Sequence, residues 1–249
     1  MRNSNRLLGF ILALALALPL PAWAVVAFDA ASQELGDTGT LTWTHTPVGT
    51  PRGVLCWVVQ FVGATDEVTG VTYGGVAMTE VSGSPLLKAG GETAAVYLYF
   101  LGASIPTGAQ TVTASVNGTG SNKNTYCFTV TGAANTEIVD VDATISSNSV
   151  ANPSVTLSLG GRTSFAAIGF MSGAQTTAEA TPSTNWTMPT NEWDPGTMVG
   201  GAYYYDIVAS TDVAAGWTQA AEDAVAIAIA ISEVTATTRR SGGLLGVGQ

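Results

Sequence analysis

Past Ala24 the chain is a succession of short apolar runs divided by Gly, Asn, Ser, Thr and Pro. Val, Ile, Thr and Tyr dominate the runs, the composition that a half-buried pleated surface favours. The pattern predicts strands over 40–46, 54–62, 68–73, 76–81, 94–101 and 110–116. It continues with strands over 125–131, 138–145, 154–159, 164–171, 202–208 and 224–234. Gly74-Gly75, between the third and fourth runs, is a two-residue hairpin signal. No window of helical length repeats its apolar positions every 3.6 residues. Strands joined by short turns pair antiparallel, because parallel neighbours need long crossovers. The predicted class is therefore all-β, an antiparallel sandwich.

Individual runs indicate their surroundings. Val225, Ile227, Ile229 and Ile231 alternate with Ala224, Ala226, Ala228 and Ala230. One face is bulky and the other small, with no polar side, so this strand is expected to be covered on both faces. Tyr203 and Tyr205 must point to the side opposite Tyr204. There is also an internal echo. The series 53–61, 71–81, 95–102, 110–116 and 125–132 is followed by 163–171, 183–193, 202–209, 216–221 and 224–232. The order suggests two related five-strand lobes, 25–135 and 136–234, within one sandwich domain over 25–234.

Residues 1–24 break the pattern. Arg2 and Arg6 precede an apolar run from Leu7 to Leu20, and Ala22-Trp23-Ala24 supplies small residues at a cleavage position. That is the layout of a secretory signal peptide. The apolar run is shorter than the roughly 20 residues of a spanning helix, so no membrane span is expected in the mature chain. Residues 235–249 turn polar, carry Arg239-Arg240, and read as a flexible tail.

Charge narrows the partners. The chain has eight basic and 18 acidic residues and a net charge of −10. Such a surface repels phosphate backbones, which argues against nucleic-acid binding. Charged residues make up only 10% of the chain, so edge strands have few lysine gatekeepers, a composition that a self-associating protein tolerates. Export places Cys56 and Cys127 in an oxidising compartment, where they either pair or remain as buried apolar thiols.

Candidate chemistry is sparse. His45 is the single histidine, lies on the strand pattern with Trp43, and has no Gly-x-Ser-x-Gly elbow to serve, so a structural role is expected. Asp140 and Asp142, two apart on one strand, share a face and are the candidate calcium ligands. They are also, with Asp194, the carboxylates that a glycosidic hydrolase would use. Asn185, Trp186, Asn191, Trp193 and Asp194 fall in a Pro-rich stretch that does not read as a strand. Rings beside amides and carboxylates suit a surface glycan.

The segments Leu41-Thr-Trp-Thr-His-Thr46, Gly53-Val-Leu-Cys-Trp-Val-Val59 and Val71-Thr-Tyr-Gly-Gly-Val-Ala-Met-Thr79 resemble a diffuse group of jelly-roll or lectin-like sandwiches. Its members are secreted bacterial proteins and phage virion surface components. The resemblance implies a jelly-roll type of sandwich and structural or surface-binding roles, with no catalytic residue to carry over. The expectation is a non-catalytic secreted or cell-surface structural protein that self-associates through sheet edges or faces. The alternatives are a carbohydrate-binding module or adhesin, assisted by calcium, and a virion surface component. No other cofactor is expected.

Overall fold

The computed structural model describes residues 25–36, 39–61, 65–90, 93–117, 123–173, 181–189, 199–219 and 221–234. The signal peptide expected at 1–24 and the tail at 235–249 lie outside the described residues. In chain order the strands are β1 (Ala27–Gly36), β2 (Leu41–His45), β3 (Gly53–Phe61), β4 (Val68–Tyr73), β5 (Val76–Ala77) and β6 (Thr79–Glu80). Then come β7 (Leu86–Lys88), β8 (Ala94–Leu101), β9 (Gln110–Val116), β10 (Lys123–Thr131) and β11 (Thr136–Val150). The last are β12 (Ser154–Ser158), β13 (Thr163–Ser172), β14 (Thr181–Pro182), β15 (Val199–Ala209), β16 (Asp212–Thr218) and β17 (Glu222–Glu233). The described residues contain no helix, and every strand pair is antiparallel.

Four sheets stack as layers. Sheet I has the order β2-β9-β4-β5; sheet II has β1-β10-β3-β8, with β6 and β7 along the outer side of β8. Sheet III has the order β11-β17-β13-β15, and sheet IV β12-β16-β14. Three cores separate the four layers. Trp43, Val58, Tyr73 and Val112 fill the space between sheets I and II. Trp57, Phe128, Phe165 and Ile229 fill the space between II and III, and Leu157, Phe170, Trp217 and Ala228 that between III and IV. Sheets II and III are thus buried on both faces, which explains why β3 and β17 are apolar almost throughout. In β17 the isoleucines face sheet II and the alanines face sheet IV. Tyr203 and Tyr204 separate likewise, Tyr203 toward sheet IV and Tyr204 toward sheet II.

The central core turns on one large residue against one small one. Trp57 of β3 lies over Gly169 of β13, where a Cβ would overlap the indole ring. Its Nε1 donates to the Ile227 carbonyl of β17, 3.0 Å away. Nearby, a buried ion pair crosses the same interface: Lys88 Nζ of β7 lies 2.6 Å from Asp223 Oδ2 of β17.

The strand orders of the two halves run in parallel. Strands β1, β2, β3, β4, β8, β9 and β10 alternate between sheets II and I. Strands β11 to β17 alternate in the same sequence between sheets III and IV, with β11-β17-β13-β15 standing as β1-β10-β3-β8. Even the bulges coincide: β1 shifts register between Phe28 and Ala30, opposite Val130, and β11 between Ile138 and Asp140, opposite Ile231. By this register Trp57 corresponds to Gly169, Phe100 to Tyr204, and the pair Cys56–Cys127 to Ile168–Ala228.

Cys56 and Cys127 face each other on β3 and β10 with Cα atoms 4.2 Å apart, and their sulfurs are bonded. The bond closes a separation of 71 residues. Breaking it by the double substitution Cys56→Ala and Cys127→Ala is expected to cost about 4 kcal/mol, read as a lower denaturant midpoint. Gly169→Ala should cost roughly 1–3 kcal/mol by driving Trp57 off its bed, with a matching change in tryptophan fluorescence of the folded state.

Candidate functional site

The sequence-predicted residues fall in three places. The first is the margin between β11 and β12. Asp140 and Asp142 project from β11 toward sheet IV, opposite Ala230 and Ala228. Asp140 Oδ2 accepts the Ser158 N–H at 2.6 Å, and Asp142 Oδ2 the Thr156 N–H at 3.0 Å. Asp142 Oδ1 also accepts the Ala143 N–H at 2.8 Å. Both carboxylates are therefore engaged on backbone donors, two of them on β12, the outer strand of sheet IV. Among the described residues no three His, Cys, Asp or Glu side chains converge as a metal site. The pair acts as a seal on an exposed edge.

The corresponding margin in the first half is sealed differently. His45 of β2 is fully buried, with Nδ1 2.7 Å from Ser32 Oγ and Nε2 3.1 Å from Thr129 Oγ1. Trp43 Nε1 donates to Ser32 Oγ at 2.9 Å, and Thr129 Oγ1 donates to Asp29 Oδ2 at 2.9 Å. Asp29 Oδ1 accepts the Gly49 N–H at 2.7 Å. The chain is self-consistent with a neutral imidazole in which Ser32 donates to Nδ1 and Nε2–H donates to Thr129. It has the members of a nucleophilic relay but not the access: the imidazole has no exposed surface, and Ser32 Oγ is already an acceptor for Trp43. Burial pushes the His45 pKa down to about 4, against a smaller upward pull from Asp29.

The third place is the proposed glycan platform. Asn191, Trp193 and Asp194 lie outside the described residues. Asn185 is exposed at a left-handed φ of 74°, in the turn that precedes Trp186. Trp186 itself is only 7% exposed. Its Nε1 donates to the Ala214 carbonyl at 3.1 Å, and Tyr205 packs against it edge-on at 6.0 Å. Its ring is spent on the core between sheets III and IV and offers no open stacking face. The expectation for Trp186 as a glycan contact is corrected accordingly.

A comparison with known proteins matches the chain to no protein family and to no characterised relative. The surface itself must supply the candidate.

What the surface offers is a seam. Where sheets II and III meet along β1 and β15, Phe28 stacks on Tyr204 with ring centroids 4.2 Å apart and planes 5° apart. Phe28 N donates to Asp206 Oδ1 at 2.6 Å on the same side. Along β8 and β11 the corresponding residues are Phe100 and Ile138, and among the described residues no ring covers Phe100 there. They line an open groove of about 550 Å³ with Leu101, Thr79, Glu137 and Val234. Ile138 is 39% exposed and Val234 46%. Ile145, further along the same face of β11, is 44% exposed. Gly102 permits the close approach of the walls, since a Cβ there would meet the Phe100 ring and the Thr136 carbonyl. No periodicity in the sequence marks this groove, because its walls come from four segments far apart in the chain.

Backbone pairing is less available than the scarcity of lysine suggested. The β8 edge is covered by β6 and β7, with Val81 N and Ser84 Oγ bonding Leu98 between them. Thr187 bridges Tyr204 on β15.

The histidine relay has a pH signature. A histidine whose folded pKa is near 4 binds its proton more readily when unfolded, with a pKa near 6.5. Stability is then whole above about pH 6.5 and is lost as pH falls through 4, by up to roughly 3 kcal/mol. Melting temperatures measured from pH 7 to 4 should fall more steeply for the native chain than for His45→Gln, which keeps two polar atoms but does not titrate.

Proposed function

We propose that the protein is a non-catalytic structural or assembly subunit, exported to the cell surface or beyond, that associates with copies of itself. The observation that carries this reading is the apolar seam along β8 and β11, with Ile138 and Val234 exposed beside an open groove and Ile145 exposed further along the same face of β11. Large apolar residues gathered in this way mark interaction surfaces. The engagement of His45, Asp140 and Asp142 with neighbouring strands supports a structural role for them. The signal-like residues 1–24 and the Cys56–Cys127 bond agree with an oxidising compartment outside the cytosol.

The fold reading belongs with it. The strand orders β1-β10-β3-β8 over β2-β9-β4-β5, and β11-β17-β13-β15 over β12-β16-β14, support a reading as two successive jelly rolls, the second with one strand fewer among the described residues. We read the chain as two related jelly-roll lobes joined through the faces that carry Trp57 and Gly169. The likeness to virion surface components and secreted sandwiches supports the same structural role. The carbohydrate-binding alternative now depends on Asn185, Asn191, Trp193 and Asp194 without Trp186.

Sedimentation of residues 25–249 across concentrations tests the reading. Mass should rise with concentration, and Ile138→Asp should weaken association at least tenfold, the loss of roughly 1.5–3 kcal/mol of apolar burial. Because Ile138 is 39% exposed in the single chain, its melting temperature should change little. A constant monomer mass at all concentrations would overturn the proposal.

A further inference from the structure

Sheets II and III meet at a contact that suits covalent chemistry. Lys88 of β7 and Asp223 of β17 are 135 residues apart in the chain and lie in these two sheets. Lys88 Nζ is 2.6 Å from Asp223 Oδ2, and the two side chains are 1% and 3% exposed. The Lys123–Glu67 pair is looser and wetter, at 3.7 Å with Glu67 20% exposed. Arg162–Glu137 is more exposed still, and its cation is a guanidinium rather than an amine.

Strand alternation brings the two side chains together. Asp223 continues the row Val225, Ile227, Ile229 and Ile231 that faces sheet II. Lys88 pairs with Ala94 of β8, whose side chain belongs to the same central core, so Lys88 faces sheet III. Both backbones are held, Lys88 by this pairing and Asp223 through its carbonyl, which accepts the Gly173 N–H at 2.8 Å. The ammonium is aimed by a second acceptor, the Gly90 carbonyl at 2.6 Å.

Charge is costly to hold away from water, and passing a proton from Nζ to Oδ2 turns this ion pair into a neutral amine and a neutral acid. Amine and acid in contact are the reactants of an amide. Bonded to Oδ2 in this way, Nζ stands roughly 3–3.5 Å from the carboxyl carbon, the separation of a near-attack pair. Two groups so fixed react as though at concentrations that free groups in solution never reach.

We infer that Lys88 and Asp223 are joined by an amide bond in the mature protein. The Nζ–Cγ bond forms and the Cγ–Oδ2 bond breaks. Oδ2 leaves as water with two of the three ammonium protons, the third stays on the amide nitrogen, and Oδ1 becomes the amide carbonyl. No oxidant or second reactant is needed, and two buried charges give way to an uncharged group. The bond ties sheet II to sheet III, whereas Cys56–Cys127 ties two strands within sheet II. It does not depend on self-association.

Intact-mass spectrometry tests it. Residues 25–249 are purified folded, then reduced and unfolded, as the native chain and as Lys88→Arg, which keeps a cation but has no primary amine. The native chain should be lighter than its sequence by one water, and Lys88→Arg should have its full sequence mass. Proteolysis of the native chain should release one branched peptide that carries residues 88 and 223. A native chain of full sequence mass after prolonged incubation in the folded state overturns the inference and leaves an ion pair. So does a missing water that persists in Lys88→Arg, because the loss then lies elsewhere. If Lys88→Arg fails to fold, the branched peptide decides: its presence supports the bond and its absence overturns it.

Discussion

The stack of four sheets depends on the contact of Trp57 with Gly169. A sheet can be covered on both faces only if its partners approach to about 10 Å, and a tryptophan projecting from one sheet needs an equal recess in the other. Gly169 is that recess. The indole N–H is satisfied by the Ile227 carbonyl, so the largest side chain of the central core brings no unpaired donor with it. Trp57 and Gly169 occupy corresponding positions of the two strand series. Two tryptophans would collide there and two glycines would leave a void, so the pairing of the two sheet pairs requires the sequences to differ at this point.

The same divergence recurs wherever the two series are compared. The margin between first and second strands is sealed by a neutral histidine relay in one, and by two carboxylates on backbone donors in the other. Both devices answer one constraint, that an outer strand leaves donors and acceptors without partners. The relay holds a base that burial keeps uncharged, whereas the carboxylates accept directly from backbone N–H groups. At the centre, one series has a disulfide where the other has Ile168 and Ala228, a covalent tie in place of apolar packing. The core beside the disulfide is also the more polar, with His45, Thr129 and Gln60 buried in it. A core with fewer aliphatic groups gains more from a cross-link that restricts the unfolded chain.

How much of this was legible in the sequence follows from what each residue faces. β17 was legible in full, because alternating isoleucine and alanine leave no polar face to misread. β3, β8, β9 and β13 likewise fall within a residue or so of the predicted runs. β1 was missed: its Ala27-Phe-Asp-Ala-Ala-Ser-Gln-Glu-Leu-Gly36 lacks β-branched residues, and its small polar side chains serve the His45 relay. β7 and β14 are too short to show a period, and β16 carries Ala214, Ala215 and Gly216 ahead of its buried Trp217. His45 was legible as structural from its place in an alternating strand. Asp140 and Asp142 were legible as a pair on one face, but not as an edge seal, because their partners on β12 depend on how two sheets meet. Trp186 misled for the opposite reason: a proline-rich stretch reads as surface, yet here it folds its ring beneath β16.

The seam was invisible in sequence because it is a difference between two places rather than a motif. Ile138 and Phe28 become comparable only once the bulges of β11 and β1 are aligned. A protein that needed only to be stable would gain by closing both sides, since an aromatic at 138 would bury apolar surface that Ile138 leaves in water. Beside the groove the β8 edge is covered by β6 and β7, and the Lys88–Asp223 pair is buried. On the proposed reading, that opening is the surface a second copy would cover.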